Sequence, residues 1–124
     1  MVVALLYEDL TRQILEACFE VSNELGAGFL ESVYQRALLI ALRQKELQAV
    51  GQYPLGVTFR GESVGDFFAD ILVENLVIVE LKAVTALAPE HKAQVINYLK
   101  ATGIEVGLLI NFGRPKLEYY RLHK

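Results

Sequence analysis

Two successive segments at the start of the chain carry apolar residues at helical spacing. In residues 8–25 every third or fourth position is apolar, and Gly26 and Gly28 supply a flexible stop. Residues 31–46 have one apolar side and an opposite side rich in arginine, glutamine and lysine. The apolar side comprises Val33, Ala37, Leu38, Ala41 and Leu42. The pattern predicts two helices joined by a tight link.

The spacing of apolar residues changes after residue 47, from helical spacing to the alternation of a strand. Residues 50–59 alternate loosely between apolar and polar or small side chains, and Pro54 indicates an edge strand or a bend. RGES at 60–63 then turns the chain into residues 64–74, and a second short turn leads into 76–84. Because the loops are short, we predict three antiparallel strands.

A third helix and two further strands complete the pattern. Pro89 is placed to open a helix that Gly103 ends, and apolar strands follow at 105–112 and 117–123. The predicted order is ααβββαββ. A helix between two apolar strands is typical of a crossover, so VIVEL and GLLINF are expected to be parallel and central.

Composition narrows the class of protein. The chain has 124 residues, 53% of them hydrophobic, which predicts a single domain over residues 1–124. A net charge of -3 provides no basic field for nucleic acid, so any polyanion site must be local. Cys18 is the only cysteine, which excludes an internal disulfide and fits a cytoplasmic location. The N-terminal MVVALL is too short for a membrane span, and we expect no membrane association.

Strand VIVELKAV at 77–84 carries two charges in an apolar run. Strand alternation places Ile78, Glu80 and Lys82 on one face. On the preceding strand, alternation puts Phe68, Asp70 and Leu72 on a shared face. A turn over residues 74–76 would set Asp70 opposite Glu80, whereas a two-residue loop would place them on opposite faces.

Two neighbouring carboxylates repel each other. A divalent cation, a shared proton or the adjacent Lys82 relieves that repulsion. Hard oxygen ligands suit Mg²⁺ or Mn²⁺, which lower the pKa of a bound water. Lys82 would then orient or help to deprotonate that water, or stabilise charge on a phosphate. The alternative is a cross-strand ion pair between Glu80 and Lys82 without function.

Four ordered motifs resemble one family. GFLESVY at 28–34 matches a GxxExxY signature, and FADILVE, VIVELKAV and HKAQVINYLKATG follow it. The chain resembles the GxxExxY protein family, whose members are assigned to the PD-(D/E)xK nuclease superfamily. This resemblance implies an α/β fold with a restriction-endonuclease-like αβββαβ core, a mixed central sheet flanked by helices, and an extra N-terminal helix. It also implies metal-dependent hydrolysis of phosphodiester bonds in DNA or RNA.

The resemblance also assigns roles to residues. Asp70 and Glu80 correspond to the metal carboxylates, with the backbone carbonyl of Leu81 as a further ligand. Lys82 falls on the catalytic lysine, and Glu31 matches an acidic residue that some members use for metal or water. A glutamate in the first turn of a helix is also favoured by the helix dipole without any function.

A second set of residues is expected to meet the substrate. Gln94 and Tyr98 match a Q-x-x-x-Y element that contacts nucleic acid in related nucleases, and His91 projects from the same helix face. Tyr34 joins this set as a candidate, although tyrosines at such positions are more often part of the core. Ser22 and Ala27 depart from the family pattern, where histidine and proline are expected, but neither touches the carboxylate pair.

The sequence is compatible with three functions. A nuclease is the first, a catalytically silent nuclease-fold module for nucleic-acid binding or protein assembly is the second, and hydrolysis of a nucleotide or another phosphate ester is the third. Nucleic acid is the expected partner. The small size is also compatible with a homodimer, because nucleases of this class often need two subunits to cut both strands.

Overall fold

The computed structural model describes residues 6–124, so nearly all of the N-terminal apolar run discussed above lies outside the described residues. The helices are α1 (Glu8–Leu25), α2 (Glu31–Gln44) and α3 (Pro89–Thr102). The strands are β1 (Ala49–Phe59), β2 (Glu62–Val73), β3 (Val77–Lys82), β4 (Val106–Asn111) and β5 (Glu118–His123). The order ααβββαββ is confirmed. Within the described residues, no helix is long and apolar enough to cross a membrane.

The five strands form one mixed sheet in the order β1-β2-β3-β4-β5. Strands β3 and β4 are parallel, as predicted for two strands joined through a crossover helix, and the other neighbours are antiparallel. Strand β1 is an edge strand, which agrees with Pro54, because an edge position tolerates the missing backbone N–H of proline. The predicted α/β fold is therefore confirmed.

Helices cover both faces of the sheet. Helices α1 and α2 pack on one face, and α3 packs on the other. The predicted apolar side of α2 was wrong at Val33, which is 36% exposed. The buried stripe runs instead through Tyr34, Leu38 and Leu42, one helical turn apart, because the ring of Tyr34 packs against Phe112 beyond β4.

Buried Asn111 holds the segment that follows β3. Its Oδ1 accepts the backbone N–H groups of Val84 at 3.0 Å and Gly113 at 2.9 Å, and its Nδ2 donates to the carbonyl of Val84 and to Glu118 Oε1, both at 3.0 Å. A Cβ on Gly113 would lie 2.2 Å from the Val84 carbonyl, so only glycine fits this approach. The end of β3, where Lys82 lies, is therefore rigidly positioned.

Candidate active site

The turn between β2 and β3 sets the register of the two candidate carboxylates. Glu74 and Asn75 have φ of 54° and 57°, and the pairs Val73 with Val77 and Ile71 with Val79 enclose a three-residue turn. This is the predicted register. It makes Asp70 and Glu80 the next residues along the two strands.

Strands β2 and β3 stop pairing where these carboxylates begin. Beyond Ile71 and Val79 the ladder ends, and Glu80 Oε1 accepts the backbone N–H of Asp70 at 2.9 Å. Asp70 Oδ2 accepts the backbone N–H of Leu81 at 2.8 Å. Each carboxylate therefore binds the backbone of the opposite strand. In an extended strand the N–H and C=O of one residue point to the same neighbour, so the Leu81 carbonyl faces the edge at which Asp70 lies.

Burial makes the charged form of the Glu80 carboxyl group unfavourable. Its side chain is only 3% exposed. Desolvation, followed by the nearby charge of Asp70, raises the pKa of Glu80 to about 8, while Lys82 acts in the opposite direction. A bound cation would offset the cost of ionising Glu80, because it would stabilise both carboxylates in their charged form.

Lys82 begins a hydrogen-bonded chain that reaches α3. Its Nζ donates to Gln94 Oε1 at 3.2 Å, and Gln94 Nε2 donates to Tyr98 Oη at 3.3 Å. Burial, together with the charges of Glu80 and Asp70, raises the pKa of the Tyr98 hydroxyl. The structure thus brings together the two candidate carboxylates, the candidate catalytic lysine and two of the candidate substrate residues.

His91 has a structural partner at the start of α3. Its Nδ1 accepts the backbone N–H of Ala88 at 2.9 Å, so a neutral ring carries its proton on Nε2. This bond satisfies one of the backbone donors that the first helical turn leaves free. The half-buried His91 therefore caps α3, and a contact with substrate stays a prediction.

Tyr34 belongs to the core, which corrects its assignment to the substrate set. Its side chain is fully buried, and its ring stacks on Phe112 with 4.7 Å between ring centroids. Its hydroxyl donates to the Gly26 carbonyl at 2.6 Å and accepts the N–H of Phe29 at 3.2 Å. The ring and the hydroxyl are thus both engaged within the protein. Tyr34 anchors the link between α1 and α2, where Gly28 has φ of 115°, a value that favours glycine.

Glu31 lies at the end of the sheet that carries the carboxylate pair. It is one helical turn before Tyr34, whose partner Phe112 donates its N–H to the Lys82 carbonyl at 2.8 Å. Glu31 is exposed, and its side chain makes no hydrogen bond or ion pair with the rest of residues 6–124. The structure therefore places it near this end of the sheet without joining it to the pair.

Replacing Tyr34 by Phe tests this anchoring role. We expect the free energy of unfolding to fall by about 1–2 kcal/mol, because the Gly26 carbonyl and the Phe29 N–H lose their partly buried hydrogen-bond partner. Urea denaturation followed by circular dichroism measures the change. Tyr119→Phe, at an exposed tyrosine, is the matched control and should change stability by less than about 0.5 kcal/mol. Equal effects of the two substitutions would contradict the anchoring role.

Strand alternation misplaced the aromatic residues of β2. Phe68 was predicted to share the face of Asp70, but it is 57% exposed, and Ala69 and Phe67 face α3 instead. The strands change face here because Gln52, opposite Asp70 on β1, has φ of 51° and donates its amide to Gln35 of α2. Phe67 was therefore missed, and no local pattern marks the change of face.

Metal-binding capacity rests on few side chains. Over residues 6–124, no group of three or more His, Cys, Asp or Glu side chains is placed to hold a metal ion. Two carboxylates and a backbone carbonyl nevertheless fit Mg²⁺ or Mn²⁺, which commonly bind one or two protein carboxylates and take their other ligands from water and substrate phosphate. The raised pKa of Glu80 supports this fit, because a bound cation would stabilise the charged carboxylate.

The mixed sheet, its flanking helices and the carboxylate pair beside a lysine define an α/β protein of the restriction-endonuclease-like class. The model of the PD-(D/E)XK nuclease superfamily matches residues 8–122. The chain belongs to this superfamily.

Comparison with solved structures agrees on the fold. The crystal structure of SSO0001 superposes with a TM-score of 0.60 at 18% identity, over 95% of this chain and 59% of that chain. At this identity the likeness shows the fold alone, and the present chain spans less than two thirds of the other protein. No curated protein matches the sequence.

Proposed function

We propose that this chain is a nuclease that hydrolyses phosphodiester bonds of DNA or RNA with Mg²⁺ or Mn²⁺. The observation that carries the proposal is the pair of carboxylates, each fixed by a backbone N–H of the opposite strand, with Lys82 two residues beyond Glu80. Structural carboxylates in an apolar strand would be expected to have a cationic partner at hydrogen-bonding distance. Lys82 instead donates to Gln94.

In the proposed reaction, Asp70, Glu80 and the Leu81 carbonyl would hold the cation. The cation would supply a Lewis acid and a bound water of lowered pKa. Gln94 fixes the Lys82 ammonium through a hydrogen bond, so that Nζ can orient the attacking water and stabilise charge on the phosphate. The anchoring of both carboxylates holds them in place before substrate arrives.

The finer assignments belong to the same proposal. We place the chain in the GxxExxY group of the superfamily, supported by the left-handed Gly28 and the anchoring Tyr34 within GFLESVY. Glu31 would help to position water, and Gln94, Tyr98 and His91 would face the nucleic acid. A cytoplasmic location is supported by the single cysteine, and a homodimer by the small size of the chain.

Metal titration tests the cation site. We expect saturable binding of Mn²⁺ and Mg²⁺ to the wild type by calorimetry, and loss of that binding in Glu80→Gln and Asp70→Asn, because each variant removes a charged ligand. Glu62→Gln, at an exposed position on the hairpin tip, is the matched control and should bind as the wild type does. Equal binding by wild type and Glu80→Gln would rule out this pair as the metal site.

A second candidate function is a silent nuclease-fold module that binds nucleic acid or assembles with proteins. The net charge of -3 favours it, since nucleases gain much of their affinity from basic surfaces. In that case the wild type would bind no divalent cation and would cleave neither DNA nor RNA. The calorimetric result therefore separates the two candidates.

A further inference from the structure

Strands β1 and β2 extend beyond the sheet as a two-stranded arm. They pair with each other over almost their whole length, whereas β2 pairs with β3 only over residues 71–73. The arm, residues 53–69, packs against α3 through Leu55 and Ala69. Between the outer part of the arm and α3 lies a cleft of about 870 Å³.

This cleft shares two residues with the candidate active site. Its lining includes Gln94 and Tyr98, the two residues that are hydrogen-bonded in a chain to Lys82. Asn97 of α3 and Thr58 of the arm add polar groups that can donate and accept hydrogen bonds. A ligand in the cleft therefore contacts the hydrogen-bonded chain that ends at Lys82.

Phe67 provides an aromatic surface in the cleft. Its side chain is 44% exposed, and its ring centroid lies 6.0 Å from that of Tyr98. The ring packs across Gly65, where a Cβ would come within 2.8 Å of it. The position of the ring is thus defined by its neighbours, while a large part of its surface stays open for stacking.

The charge of the cleft is unsuited to a duplex. Its lining contains one lysine, Lys100, and one glutamate, Glu90. Duplex binding depends on several phosphate contacts from Lys and Arg, whereas single strands also gain affinity from bases that stack on aromatic side chains. An aromatic, nearly neutral cleft therefore favours unpaired bases.

We propose that this cleft binds single-stranded nucleic acid, with an unpaired base stacked on Phe67 and the adjoining phosphodiester directed toward Asp70 and Glu80. The inference rests on the proposed nuclease function for the role of the carboxylates. It adds the substrate class and the residue that selects it.

Fluorescence anisotropy tests the proposal in a Lys82→Ala background, in which cleavage is expected to be about 10²–10³-fold slower. The probes are fluorescein-labelled oligothymidylate, oligouridylate and a DNA duplex of the same length, each measured with EDTA and again with Mg²⁺. We expect the single strands to bind more tightly than the duplex, and the two single-stranded probes show whether DNA or RNA is preferred. The salt dependence should be shallow, corresponding to about one or two phosphate contacts.

Substitutions on the arm locate the binding site. Phe67→Ala should weaken single-strand binding roughly 5- to 150-fold, and Phe67→Tyr should restore it, because stacking needs the aromatic face. Phe68→Ala removes the neighbouring, more exposed phenylalanine, which does not line the cleft, and should have no effect. Thermal unfolding of each variant shows whether the arm stays folded.

The outcomes separate this inference from the nuclease proposal. Tighter binding of the duplex, or equal losses in Phe67→Ala and Phe68→Ala, would overturn the cleft inference even if the wild type binds metal and cleaves. A Phe67-dependent affinity that persists in EDTA would support the cleft inference, even if the wild type neither binds metal nor cleaves and the nuclease proposal fails.

Discussion

Lys82→Ala is expected to lower the rate of nucleic-acid cleavage by about 10²–10³-fold, which is the usual effect of removing one group that stabilises developing charge. The ammonium is held by Gln94, so it is already positioned when substrate binds. Because alanine leaves the carboxylate pair intact, metal binding should survive. The substitution should therefore lower the turnover rate and leave the affinity for metal unchanged.

Cleavage of labelled DNA and RNA with Mn²⁺ under single-turnover conditions measures this effect. Lys45→Ala is the control, because Lys45 lies on the other side of the sheet near Glu16 and Glu20 of α1. It should leave the rate unchanged, whereas Asp70→Asn should abolish cleavage. If Lys82→Ala cleaves at the wild-type rate, the lysine has no part in the reaction, and cleavage that survives Asp70→Asn would indicate a contaminating nuclease.

The second large effect is a fall in stability with rising pH in the absence of metal. The pKa of Glu80 is raised from an ordinary 4.5 to about 8, so the folded protein binds a proton that the unfolded chain has already released. The contribution of Glu80 is fully present below pH 4.5 and is lost as the pH rises toward 8. The shift corresponds to a loss of about 3–5 kcal/mol across this window.

Urea denaturation in EDTA between pH 5 and pH 9, roughly the range that the shift covers, measures this loss. Glu80→Gln should flatten the dependence and should be more stable than the wild type above pH 8, because glutamine carries no charge to bury. Glu62→Gln, at an exposed site, should keep the wild-type slope. A wild-type slope in Glu80→Gln would assign the effect to another group.

The metal titration and the pH dependence of stability both concern the carboxyl group of Glu80. A Glu80 that destabilises the protein when ionised fits a residue kept for binding a cation, and residues with strongly shifted pKa values tend to cluster at functional sites. Adding Mn²⁺ at pH 8 should then restore stability to the wild type, since a ligand that binds only the folded state stabilises it. Glu80→Gln should show no such gain.

The sequence by itself determined the elements and their order. Apolar periodicity is a local property, and it distinguished three helices from five strands. The crossover helix between two apolar strands determined that β3 and β4 are parallel. The sequence left the length of the turn between β2 and β3 open, and the structure shows the three-residue turn that places Asp70 next to Glu80.

Tertiary structure alone decided how the site is held and which aromatic residue faces it. The left-handed Gln52 turns the arm so that Phe67 instead of Phe68 lines the cleft, and packing against Phe112 buries Tyr34. The reciprocal bonds of Asp70 and Glu80 likewise form only where two strands separate. The physical reason is that alternation assumes a regular strand, whereas burial, changes of face and side-chain partners depend on residues distant in sequence.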